Sequence, residues 1–210
     1  MNILAVDCCL RLTGAAVMRN GIIVGYVQED YGRRQTSELP GICAGLMESA
    51  GLSWQELDDI ALTNGPGYFT GIRVGAAYAS GLAYACGAKI IPVSTLDLLP
   101  FTFRKSRNVS KILSVIYAGH GYVYASCEGS LMAGEYSHAE ILDWLGKNPD
   151  AVTISDDPER TALAAEILTV KPDVLSLCEI ARVNVNMAAA PSNLRINYYR
   201  APQGVNQTGR

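Results

Sequence analysis

Histidine is nearly missing from this chain, with only His120 and His138 in 210 residues. Together with the lack of any H-E-x-x-H pattern, this argues against a histidine-rich metal site. Charge is thin as well: Asp, Glu, Lys and Arg make up 18% of the residues and sum to −3. A mildly acidic balance argues against strong independent binding to nucleic acid, which needs clustered Lys and Arg against the phosphates. No apolar run reaches the roughly 20 residues of a membrane span. The opening Met1-Asn2-Ile3-Leu4-Ala5-Val6-Asp7 has no basic leader and ends in an acid, so it reads as a strand and not as a secretory signal. The 6 cysteines form no C-x-x-C pair, and most sit in apolar surroundings. They read as reduced, buried thiols of a cytoplasmic protein. What is present is apolar mass, 49% of 210 residues, enough for one large or two small domains.

The densest information lies between Thr63 and Gly75. Ile60-Ala61-Leu62-Thr63 suits the end of a buried strand. Gly65-Pro66-Gly67 is strong turn punctuation: the glycines can take positive φ and Pro66 stiffens the loop. Thr70 stands where a helix N-cap is expected. The first-turn N–H groups of such a helix can hold an anion. A Walker loop, however, needs Lys and then Ser or Thr after its last glycine, and Gly71 is followed by Ile72 and Arg73. Two readings stand, a structural turn and a phosphate cradle, with the turn favoured.

Two helices flank this loop with little charge between them. From about Ile72 to Cys86 the only formally charged residue is Arg73, and Gly75, Ala76, Ala79, Ser80, Gly81 and Ala83 keep the helix slim. Close packing is the natural compensation for glycine inside a helix. Over roughly Ser37 to Ala50, Leu39, Ile42, Cys43, Leu46, Met47 and Ala50 form a stripe at helical spacing. The other face carries Pro40, Gly41, Ala44, Gly45 and Glu48. Either the helices bury each other on a sheet, or they offer a docking surface to a second protein.

The order of elements is βββαβαβ, which suggests a mixed sheet covered by helices. Gly14–Met18 and Ile22–Gln28 flank Arg19-Asn20-Gly21, and Asn-Gly is a favoured hairpin turn. A fainter copy follows. Ile112-Leu113-Ser114-Val115 resembles Ile3-Leu4-Ala5-Val6, and Glu128-Gly129 falls where Asn20-Gly21 would lie after a shift of about 108 residues. Helices are expected at His138–Lys147, Pro158–Leu168 and Pro172–Ala190, with a strand at Ala151–Ser155. The division is a first lobe over 1–103, a smaller second lobe over 108–200, and a polar tail over 201–210. Two such lobes are the layout of the α/β actin, hexokinase and Hsp70-like superfold (RNase H-like lobes, each a mixed five-stranded sheet with flanking helices). Its chemistry needs acids and glycine-rich hairpins from both lobes. Asp7 fits, but it is followed by Cys8-Cys9-Leu10-Arg11-Leu12-Thr13, and the matching point of the second lobe reads Ile116-Tyr117-Ala118-Gly119-His120, without a carboxylate.

The residues Ile3–Asp7, Asn64–Gly75, Gly81-Leu82-Ala83 and Val93-Ser94-Thr95-Leu96-Asp97 resemble the TsaB (YeaZ) family of tRNA threonylcarbamoyladenosine biosynthesis. Tyr198-Tyr199-Arg200 is similar to the family's closing Tyr-Leu-Arg. The resemblance implies a two-lobed protein with no catalytic residues, no cofactor and no metal of its own. Such a protein docks through the first-lobe helices onto the related catalytic subunit TsaD, and a small ATPase, TsaE, joins them. The complex transfers a threonylcarbamoyl group to N6 of adenosine 37 in ANN-decoding tRNAs, and tRNA is met only through the complex. TsaD holds metal on two first-lobe histidines, and the comparable Arg33–Pro40 stretch has none. The docking residues are then Leu39, Ile42, Leu46, Gly75, Ala76, Ala79, Leu82 and Ala83, and Gly65, Pro66, Gly67, Thr70 and Gly71 form a structural loop. Without its partner, the same face can close a homodimer. The chain departs from the family at Cys8 (usually Thr), at Thr36 (usually His) and at Tyr117-Ala118-Gly119 (usually Asp-Ala-Arg). The alternative from another class is a nucleotide-dependent kinase or ATPase of the same superfold.

Overall fold

The computed structural model describes residues 1–199; the polar tail expected over 201–210, and Arg200 of the closing motif, lie outside the described residues. Continuous buried runs build β1 (Ile3–Asp7) and β2 (Thr13–Arg19), and an alternating pattern builds β3 (Ile22–Glu29). Asn20 and Gly21 take φ of 52° and 79°, the left-handed pair that a two-residue hairpin requires. Helix α1 (Gln35–Ser49), β4 (Asp59–Thr63), α2 (Phe69–Cys86), β5 (Lys89–Val93) and α3 (Thr95–Arg104) complete the first half. The sheet runs β3-β2-β1-β4-β5, with β1, β4 and β5 parallel. Strand β1 is buried on both faces. Leu4 and Val6 join the core under α1 and α2, while Ile3 and Ala5 join the core on the other side, as the period of two dictates.

The second half repeats this order with β6 (Ile112–Gly119), β7 (Tyr122–Cys127), β8 (Leu131–Ser137), α4 (His138–Lys147), β9 (Val152–Ser155), α5 (Pro158–Thr161) and β10 (Leu168–Thr169). Its sheet runs β8-β7-β6-β9-β10, so the two five-stranded sheets have one topology. The turns at Asn20-Gly21 and Glu128-Gly129 each join the second strand of a lobe to its third. The architecture is the two-lobed actin-like superfold.

Several boundaries differ from the sequence reading, each for a local reason. Helix α5 is one turn long and does not continue to Leu168. Asp157 caps it through the Arg160 N–H at 3.0 Å, and Ala162 ends it at φ 50°. The residues beyond turn back so that Leu168-Thr169 can pair with β9. Helix α3 is read from the sequence only as a motif, because Pro100 interrupts its pattern. Ser94 nevertheless caps it, accepting from Leu96 N–H at 3.2 Å. Helix α6 covers Val174–Val183, capped by Asp173, and stops at Asn184 rather than at Ala190.

Helix α6 also corrects the division of the chain. Val174, Leu177, Cys178 and Ala181 pack with Ile3, Ala16, Met18 and Ile91 of the first sheet. Ala189 then forms a two-way bridge with Ile90, both bonds 2.9 Å. The chain after about residue 173 therefore belongs in space with the first lobe.

The lobes share an apolar seam. Leu10, Leu96, Leu99 and Phe103 pack with Ile112, Ile116, Ile154 and Val170 of the second sheet. The 2 tryptophans, Trp54 and Trp144, pack against the cores of different lobes. A buried seam of this kind couples the lobes in unfolding. Trp54→Phe and Trp144→Phe variants, each with one remaining fluorophore, are expected to show the same urea midpoint. Separate midpoints for the two reporters would mean that the lobes unfold independently.

Candidate functional site

Asp7 ends β1 with no exposed surface. Its Oδ1 accepts from Thr63 Oγ1 at 2.6 Å and from Cys9 N–H at 3.1 Å. Its Oδ2 has no partner among the described residues. Burial pushes the carboxyl pKa up, and the two hydrogen bonds only partly offset this. The acid that heads the superfold's usual chemistry is here sealed into the strand ends. The next two residues are buried thiols. Burial, with Asp7 adding to it, raises Cys9 to about 12 and drives Cys8 in the same direction. Both are protonated and poor nucleophiles. Cys9 Sγ donates to Thr63 O at 3.2 Å. His120 sits in the β6–β7 turn and His138 starts α4. Among the described residues no three His, Cys, Asp or Glu side chains gather as metal ligands.

The loop between β4 and α2 rests directly on the β1–β2 connection. Gly65 takes φ 93° and the Gly65–Pro66 peptide is cis. A Cβ on Gly67 would collide with the Cys9 carbonyl oxygen, and one on Gly71 with that of Cys8. Tyr68 N–H donates to Cys9 O at 2.7 Å, and Thr95 N–H to Gly65 O at 3.0 Å. From the end of the chain, Asn197 N–H donates to Asn64 O at 2.9 Å, and Asn64 Nδ2 to Arg195 O at 2.8 Å. The space and hydrogen bonds that a phosphate would use are thus largely occupied by the protein's own backbone. Pro66 is buried inside this corner. Helix α2 begins earlier than the sequence suggests, at Phe69, with extended Tyr68 as the residue before it and no side-chain cap. Thr70, expected as the cap, is an exposed residue of the first turn.

The residues proposed from sequence for docking fall mostly inside. Leu39, Leu46, Gly75, Ala76, Ala79 and Ala83 are buried, and Ile42 and Leu82 are partly buried. They seat α1 and α2 on the sheet and on each other, so they cannot themselves form an open surface. Outward, the same helices present Pro40, Gly41, Ala44 and Gly45 on α1, and Ala77, Gly81, Tyr84 and Ala85 on α2. Tyr84 is 87% exposed and Phe69 45%. Between the helices runs a groove of about 450 Å³, lined by Thr36, Leu39, Pro40, Phe69, Thr70, Arg73, Val74, Ala77 and Tyr78. Arg73 is held at its end. Its guanidinium stands 3.7 Å from the Phe69 ring centroid, and Nε donates to Tyr198 Oη at 3.2 Å. The sequence signal for this face was the small-residue side of α1, not the apolar stripe.

A family model described as "TsaD: tRNA N6-adenosine threonylcarbamoyltransferase" matches residues 21–156. The TsaB of Escherichia coli K12, named a tRNA threonylcarbamoyladenosine biosynthesis protein, is 28% identical over 152 residues, 72% of this chain and 62% of that one. The Haemophilus influenzae TsaB is 28% identical over 126 residues, 60% and 53% of the two chains. The chain belongs to the family that this model describes, and within it is similar to the TsaB (YeaZ) proteins. Its matched part spans between about half and two thirds of these two curated relatives. Two Pseudomonas aeruginosa structures share the fold along almost the whole length. A protein with similarity to peptidase YeaZ superposes with TM-score 0.78 at 22% identity, covering 95% of this chain and 99% of that one. A structure named YeaZ gives 0.71 at 21%, covering 94% and 99%. Both TsaB relatives are named for tRNA threonylcarbamoyladenosine biosynthesis. Among the described residues no helix is long and apolar enough to cross a membrane.

Two predictions follow from the corner and from the cleft beside it. Gly71→Ala, which must displace backbone, is expected to cost about 2–3 kcal/mol. Gly45→Ala, in open space on an exposed helix face, is expected to gain roughly 0.5–1 kcal/mol. Urea denaturation of the two variants checks the pair. Asp156 is half-buried, and burial raises its pKa to about 6, with Asp157 and Asp7 adding to the rise. Between its unfolded value near 3.8 and about 6, the folded state binds more protons than the unfolded one. The side chain therefore costs nothing at low pH and progressively destabilises as pH rises through that window. Asp156→Asn is expected to be roughly 1–2 kcal/mol more stable than the parent at pH 7.5, allowing for partial solvent screening. The difference should vanish near pH 4, and melting curves across this range measure it.

Proposed function

We propose that this chain is a non-catalytic subunit that binds a TsaD-like catalytic subunit through the outer faces of α1 and α2. With a TsaE-like ATPase, it supports transfer of a threonylcarbamoyl group to N6 of adenosine 37 in ANN-decoding tRNAs in the cytoplasm. The observation that carries this reading is the uncharged, small-residue surface made by Gly41, Ala44, Gly45, Ala77, Gly81 and Ala85. Small residues let two helices of a partner approach closely, and exposed Phe69 and Tyr84 supply aromatic anchors. A sealed Asp7 and protonated thiols support a role without chemistry of its own. They also weigh against the kinase or ATPase alternative, in which Asp7 must reach a metal or water beside bound phosphate. A net charge of −3 is consistent with tRNA being met only through the complex. In the absence of the catalytic subunit, the same face can close an isologous homodimer.

The test uses the outward residues, because Arg at buried Ala79 or Gly75 would disrupt the lobe itself. Ala77→Arg and Ala44→Arg are expected to leave the circular dichroism melt within a few degrees of the parent. Each should weaken co-purification with the TsaD-like subunit by at least about tenfold. Full association of both folded variants would sink the docking assignment.

A further inference from the structure

We infer that Arg160 is a clasp that ties the two lobes together beside the corner that opens α2. Three contacts carry this. Arg160 Nη1 donates to Tyr68 Oη at 2.9 Å. The guanidinium carbon stands 4.9 Å from the Tyr68 ring centroid and 4.6 Å from that of Tyr117. Tyr68 belongs to the first-lobe corner, and Tyr117 to β6 of the second lobe. One planar cation thus lies against rings from both lobes, the arrangement in which Arg gains from stacking and from directed donation together.

Both ends of the clasp are anchored. On the second lobe, Arg160 N–H donates to Asp157 Oδ1 at 3.0 Å, and Thr161 Oγ1 donates to Asp157 O at 2.8 Å. Thr161 Oγ1 also shares a 3.0 Å bond with Ser155 Oγ at the end of β9. On the first lobe, Tyr68 N–H is tied to Cys9 O at 2.7 Å. Burial raises the pKa of both Asp7 and Asp156, and Asp7 adds to the rise at Asp156. The apolar seam through α3 joins the lobes with other residues, so the clasp is a second, separable tie. It also fixes Tyr68, the residue that immediately precedes α2.

The inference does not rest on the docking reading, since it concerns the isolated chain. Hydrogen exchange followed by mass spectrometry on the full-length protein tests it. Arg160→Ala is expected to raise exchange about tenfold in both 65–72 and 156–161, while α4 and α6 exchange as in the parent. Arg160→Lys keeps the charge but loses the planar fork, and is expected to restore less than half of the lost protection. Unchanged exchange at 65–72 in Arg160→Ala would overturn the clasp. So would a uniform rise that includes α4 and α6, which would make Arg160 a general stabilising residue. Full protection in Arg160→Lys would overturn the stacked geometry.

Discussion

Everything in the first lobe depends on how closely the β1–β2 connection lies against the loop that opens α2. The carbonyls of Cys8 and Cys9 fill the places where side chains at Gly71 and Gly67 would stand. That contact lets Tyr68 N–H reach Cys9 O and lets Thr63 reach back to Asp7. It brings α2 onto the sheet at a distance only small residues permit. Gly75, with Cys8 Cβ and Leu62 at 3.4 Å from its would-be Cβ, continues the approach, and buried Ala76, Ala79 and Ala83 follow. Glycine's entropic cost within a helix is met here by backbone packing, so the loop is a corner before it is anything else.

The same contact explains why the acid that ends β1 is sealed from solvent. In a cleft that works on phosphates, the residues after the first strand stay open to a ligand. Here two thiols take those positions, one donating into Thr63 O, and the glycine loop folds over them. Asp7 is left with burial as its dominant influence. Asp156 in the second lobe shares that fate to a lesser degree. Neither faces a cationic partner close enough to outweigh desolvation, which is the pattern of a closed structural cleft.

Much of this was legible before any coordinates. The chain order of strands and helices in the first lobe, and its fainter copy as far as β9 in the second, could be read because apolar runs and the Asn20-Gly21 turn are local signals. Helix extents in the second half could not. A left-handed Ala162 and a stop at Asn184 are set by tertiary demands, namely pairing of Leu168-Thr169 with β9 and of Ala189 with Ile90. The stripe Leu39, Leu46 and its counterpart on α2 were legible as apolar, but periodicity does not say whether such a stripe meets the protein's own sheet or a partner. The packing answers that: the stripe faces inward, and the weakly polar side with Gly41, Ala44 and Gly45 faces out. Arg160 carried no signal at all, since its partners Tyr68 and Tyr117 are 92 and 43 positions away in sequence.

The duplicated topology hides a functional asymmetry. Helix α6 and the segment from Ala189 to Tyr198 return to the first lobe after the second is complete, covering its far face and bracing the glycine corner through Asn197 and Tyr198. The first lobe thereby gains supports on both faces and at the start of α2, while the second lobe contributes the seam and Arg160. A lobe whose two outer helices carry little charge and many small residues, yet are fixed from below by backbone contact and from the ends by residues distant in sequence, presents a surface with little conformational freedom left to lose. Association entropy weighs most heavily on small, apolar patches without strong polar anchors. On the docking proposed for this chain, preorganisation of α1 and α2 lets so plain a face serve as a binding surface, with the second lobe holding it still.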